Sequence, residues 1–139
     1  MTPPNTYEAD CEYRLPLAVR PSDLPVIRRK VTARLRLWGL ESLAHDACAI
    51  ITELLTNVHR HANGRAVLLL QRWPGCLCIT VSDTSREMPL VTEPDWASVS
   101  GRGMFIVASL ANWWKAVPTS TGKDVIASLV FPEKVRVRP

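Results

Sequence analysis

No uninterrupted apolar run in these 139 residues approaches the roughly 20 that a membrane-spanning helix needs, so no membrane association is expected. The opening "MTPPNTYEADCEY" has no basic segment leading into an apolar one. A secretory leader is therefore not expected either, and the cytoplasm is the expected compartment. Cysteine is sparse, with four at Cys11, Cys48, Cys76 and Cys78, and in that compartment they read as reduced thiols. Cys76-x-Cys78 has no second pair at zinc-finger spacing to complete a structural metal site. Charge of one sign does not dominate, because the net +4 is modest. The basic residues are spread between Arg28, Arg29, Lys30, Arg34 and Arg36 near the start and Lys134, Arg136 and Arg138 at the end. No nucleic-acid motif accompanies them, so solvated faces are the simpler reading and a direct nucleic-acid partner is not expected.

What is present fits one globular domain. The chain is 47% hydrophobic and 22% charged, and its length can close a core without staples. Residues 1–10, polar and proline-containing, are expected to form a flexible tail, residues 11–133 the domain, and 134–139 a short C-terminal tail.

"CEYRLPLAV" alternates as a strand does. "RPSDLPVIRRKVTARLRLWGL" offers Asp23 as an N-cap, Pro25 just inside, apolar positions at Val26, Ile27, Val31, Leu35 and Trp38, and Gly39 as a stop. A second helix is expected from Ser42 to about Ala62, stopping at Asn63-Gly64, with Ala44, Ala47, Ile51, Leu54, Leu55, Val58 and Ala62 as its buried stripe. "AVLLLQRW" and "CLCITVSD" read as two strands around a Pro74-Gly75 hairpin. Period two puts Leu77, Ile79, Val81 and Asp83 on one face of the second, so Asp83 points where the hydrophobic residues are buried and needs a partner there. Residues 84–100 read as a long loop, and "GRGMFIVASLANWW" as a helix entered through Gly101 and Gly103. "WKAVPT" and "DVIASLVF" read as a last strand pair turning around Gly122. This order lacks strand-helix alternation, so the expected fold class is α/β, a two-layer α/β sandwich with a mixed, mostly antiparallel sheet and helices on one face.

In "ELLTNVHRHANG", Glu53, Asn57 and His61 recur every fourth residue, about 40° apart per step, and so line one edge of the second helix. That edge lies beside the apolar stripe, at the border between core and cleft. A carboxamide there can ligate a hard cation such as Mg²⁺ through oxygen, and a carboxylate one turn earlier can hold a water or accept a hydroxyl proton. Glycines ahead of a helix let backbone N–H groups approach phosphate, and an inward carboxylate accepts a hydrogen bond from an exocyclic amine such as adenine's. Together these groups describe an ATP site.

The segments "ELLTNVHRHA", "VSD" and "GRGMFIVASLA", in this order, resemble the N box, the aspartate of the first glycine box and the second glycine box of the GHKL ATPases, the Bergerat-fold group. From about 12 to 131, with "GRG" and a terminal "GKxV", the chain is most similar to the stand-alone branch: anti-sigma-factor serine kinases and short ATP-binding regulators of the actinobacterial type. The resemblance implies ATP or ADP with Mg²⁺ as cofactors. It implies Asn57 as Mg²⁺ ligand, Glu53 as general base, Asp83 as adenine reader, Gly101, Arg102 and Gly103 as the phosphate cradle, and residues 84–100 as lid. Met104 and Lys123 fall at nucleotide-contacting positions, and His61 at one that braces the helix end. Implied partners are a STAS-type anti-sigma-factor antagonist, a sigma factor and, by analogy, a second copy of the chain. The sequence departs from D-x-G-x-G at Ser85 and Glu87, and carries Gly122-Lys123 where many members have Gly-Thr.

Plainer roles stand beside these. Glu53 could be a solvated carboxylate paired with Arg60 or Arg102, Asn57 a surface residue, Asp83 a turn capper, and Gly101 with Gly103 only a helix entry. The expected function is an ATP-binding regulator with serine/threonine kinase activity. The alternative is a non-catalytic nucleotide-sensing interaction module, which Ser85 and Lys123 favour.

Overall fold

The computed structural model describes residues 9–61, 64–89 and 103–132. Strand β1 (Cys11–Ala18) alternates between half-buried and exposed positions along its whole length, as a strand with one face on a core must. A 3-10 turn at Pro21–Asp23 runs directly into helix α1 (Leu24–Leu37). Asp23 is consequently already helical, at φ −85° and ψ −15°, and its side chain makes no cap; a capping side chain needs extended backbone at that residue. Val26, expected among the apolar positions, is exposed, whereas Ile27, Val31 and Leu35, four apart, form the buried stripe.

Gly39 ends α1 with φ +75°, a conformation L side chains rarely adopt. Its N–H bonds to Arg36 and that of Leu40 to Leu35, which satisfies two of the carbonyls the helix end leaves over while burying Leu40. A second 3-10 turn, Glu41–Leu43, takes up Ser42, and helix α2 runs Ala44–His61. Ala47, Ile50, Ile51, Leu54, Leu55 and Val58 are its buried side chains, and each large one contributes roughly 1.5–3 kcal/mol of burial. Ala62 and Asn63, expected at the helix end, lie outside the described residues; Gly64, at φ +84°, follows them.

Strands β2 (Arg65–Trp73) and β3 (Cys76–Asp83) pair across Pro74-Gly75, with Gly75 at φ +80°. Helix α3 (Gly103–Leu110) buries Met104 and Val107, and the chain finishes with β4 (Trp113–Pro118) and β5 (Lys123–Val130). The five strands lie in the order β1-β2-β3-β5-β4. All four pairings are antiparallel, the limit of the mostly antiparallel sheet the sequence leads one to expect. The helices pack on one side of this sheet, giving the two-layer sandwich; α2 touches β2, β3 and β5 as well as both other helices. Arg34 of α1 stacks over the Tyr13 ring of β1 at 4.3 Å, fixing that helix against the sheet edge. Among the described residues no helix is long and apolar enough to cross a membrane.

Strand insertion decides where the site can be. The hairpin β4–β5 folds back so that β5, not β4, lies against β3, and this sets Asp83 opposite Lys123 at one end of the sheet. Ala66 of β2 pairs with Asp83 at that same end, only five residues after α2 closes at His61.

Candidate functional site

The site is built at that end of the sheet, from the last turns of α2, the tip of β3, the start of β5 and the start of α3. Glu53 and Asn57 are both half-buried, between the buried Leu54 and Val58 and the exposed His59 and Arg60. They therefore sit at the border of core and surface, and their edge of α2 runs toward the sheet end that carries Asp83. His61 is the last residue of the helix. Helices α2 and α3 pack against each other, so Gly103, the first residue of α3, begins beside the α2 layer. Gly101, Arg102 and the larger part of the expected lid, residues 90–100, lie outside the described residues. Met104 is buried in the core beneath the start of α3, where it supports the helix.

Asp83 faces inward and is buried, as strand periodicity requires. Its partner is within the chain. Lys123 Nζ donates to both carboxylate oxygens, at 3.0 and 3.1 Å, and to the Ser85 carbonyl at 3.3 Å. The side chains of this pair are only 7% and 4% exposed, so it is a buried, hydrogen-bonded ion pair. Removing one partner of such a pair typically costs about 3–5 kcal/mol, because the other is left charged and unsolvated. The Ser85 N–H donates to Asp83 Oδ1 at 2.8 Å, and the Glu87 N–H to Ser85 Oγ at 3.2 Å. Asp83 therefore also does what a turn capper does. Arg86 completes the arrangement by donating to the carbonyls of Thr119 and Ser120 at 3.3 and 2.7 Å, which ties the start of the lid segment to the β4–β5 turn.

One contributor was not among the expected site residues. Gly122 packs so closely on β3 that a Cβ there would lie 1.9 Å from the Asp83 carbonyl oxygen and 2.6 Å from the Thr84 Cα. Its φ is not positive, so glycine is required for the close approach of two backbones. The terminal "GKxV" was the sequence signal, but only the β3–β5 register says what the glycine touches.

The structure thus brings Asp83, Lys123, Ser85 and Gly122 together and keeps Glu53 and Asn57 on a common helix edge. The two ends of the site differ in chemistry. At the α2–α3 end, a carboxamide and a carboxylate one turn apart are a donor set that suits Mg²⁺, which takes one or two protein oxygens and fills its shell with phosphate and water. At the Asp83 end, the acceptor a base amine would use already holds an ammonium.

The chain matches the family model described as histidine kinase-like ATPase domain over residues 17–129, which takes in α1, α2 and α3 and strands β2 to β5 up to Leu129 but only the last two residues of β1. A search of curated proteins returned no match. The match spans most of the sequence, and the chain belongs to the histidine kinase-like ATPase domain family, whose membership implies nucleotide binding.

Proposed function

We propose that this member of the family is an ATP-binding regulatory protein that transfers the γ-phosphoryl group to a hydroxyl on a protein partner. The observation that carries the reading is the Glu53–Asn57 edge, half-buried on a helix that packs against α3, in a chain that matches the ATPase family from 17 to 129. Asn57 would hold Mg²⁺, which when bound neutralises charge on the phosphates. Gly101, Arg102 and Gly103 would supply the N–H groups and the cation that orient the phosphates. Glu53 would accept the proton of the attacking hydroxyl as its oxygen bonds to the γ-phosphorus and ADP leaves. By resemblance the acceptor is a serine or threonine of a STAS-type anti-sigma-factor antagonist, a sigma factor is the protein held in check, and the kinase acts as a homodimer in the cytoplasm.

Radiolabelled γ-phosphate transfer to a STAS protein, compared between the wild type and Glu53→Ala, tests this. Transfer that the substitution abolishes supports the kinase; Mg-ATP binding without transfer in the wild type removes it. One observation favours a second reading, a nucleotide sensor without catalysis: the Lys123–Asp83 pair fills the base-reading acceptor, which would weaken nucleotide affinity. In that case ATP or ADP would only set the partner-binding surface.

A further inference from the structure

The places where the sequence departs from the family motif, Ser85, Glu87 and Lys123, are not scattered. They form one hydrogen-bonded cluster around Asp83. The lysine ammonium has three N–H groups and three acceptors within reach, the two Asp83 oxygens and the Ser85 carbonyl. A carboxylate offers about four lone-pair positions. Here Lys123 and the Ser85 N–H engage three of them, and burial keeps water from the pair. The cluster is held from outside by Arg86 on the 119–120 carbonyls and from beneath by Gly122 against the Asp83 backbone.

A purine reaching Asp83 meets this pair, not a bare carboxylate. Adenine presents a 6-amino donor and an N1 acceptor. At that position the donor competes with the ammonium for the same oxygens and meets its positive charge. A 6-oxo purine presents the opposite edge: its O6 can accept the ammonium hydrogen now held by the Ser85 carbonyl, the longest of the three contacts at 3.3 Å, and its N1–H can donate to the carboxylate position left over. We propose that Lys123 is the base-selecting residue of the nucleotide site: it occupies on Asp83 the position a 6-amino group would take, so it attenuates binding of adenine nucleotides and penalises 6-oxo purines less. The inference rests on the nucleotide reading above and adds to it what sets the affinity.

The test is calorimetric titration of the full chain with Mg-ATP and with Mg-GTP, in the wild type, Lys123→Thr and Lys123→Gln. The threonine variant strips a buried carboxylate of its cation. The glutamine variant keeps a neutral N–H for Asp83 and decides the matter if the first does not fold by circular dichroism. Lys123→Thr should tighten ATP at least tenfold and Lys123→Gln by less, with GTP unchanged or weaker in both. An ATP-to-GTP affinity ratio that stays constant across folded variants overturns the proposal and leaves the nucleotide reading standing. No binding of either nucleotide by the wild type and both variants removes the nucleotide reading, and the proposal with it.

Discussion

The two ends of the candidate site are built on opposite principles. At the Asp83 end the polar groups of the cluster find their partners within the protein: a buried carboxylate, a buried ammonium and two backbone N–H donors, beside a glycine that lets two strands close on each other. At the α2–α3 end, Glu53 and Asn57 stand half-buried at the border of core and surface, where a ligand can reach them. The first end contributes to the stability of the fold, and the second is the one that the proposed function assigns to phosphate and Mg²⁺. A buried polar cluster is stable only when fully satisfied, whereas half-buried polar groups on a helix edge remain within reach of solvent.

Substitutions should separate the two ends, and the largest effect is expected at the closest contact. Gly122→Ala must push β5 away from β3 at the Asp83–Lys123 pair, since the new Cβ meets backbone and not a side chain that can swing aside. A loss of about 4 kcal/mol or more is expected, read from urea denaturation. Next comes Lys123→Met, which keeps the length of the side chain but leaves Asp83 alone in the core; about 3–5 kcal/mol should be lost, and adding Asp83→Leu should restore most of it. If the double variant is no better than the single, the pair is not the source of the loss.

Asn57→Ala is the contrasting case at the other end. Stability should change by about 0.5 kcal/mol or less, while Mg²⁺-dependent nucleotide affinity falls at least about tenfold, or roughly 1.4 kcal/mol, by titration calorimetry. Unchanged affinity would take Asn57 out of the site.

The smallest effect is expected away from both ends, on the sheet face opposite the helices. Burial pushes the Cys78 thiol up from 9.0 to about 12, and the neighbouring Cys76, 3.9 Å away, adds to the rise. The unfolded thiol ionises first, so the stability tied to this group is complete below pH 9 and lost as pH rises toward 12. The decline in melting temperature over that interval should be shallower in Cys78→Ala, and at pH 8 iodoacetamide should label Cys78 slowly in the folded protein.

Much of this was legible in the residues. Spacing of four located Ile27, Val31 and Leu35, and strand alternation put Asp83 on the buried face of β3. The half-buried edge of α2 followed from the same helical arithmetic that placed its core stripe. Asp23 misled because a capping residue type was followed by Pro25 just inside a helix, while the turn at Pro21–Asp23 had already committed its backbone to helical angles. Asp83 was recognised as needing a partner, but adenine was the partner that local chemistry suggested.

By itself the sequence determined the order of the longer helices and strands, most of their buried positions and the helix edge that carries Glu53 and Asn57. Each depends on spacing within one segment, where backbone geometry fixes which side chains share a face. Only the tertiary structure decided that β5 inserts beside β3, that Gly122 lies on the Asp83 backbone, and that Lys123, 40 residues along the chain, neutralises Asp83. Strand register between distant segments is set by which pairing buries the most apolar surface and satisfies the most polar groups at once, a property of the assembled sheet and not of any one strand.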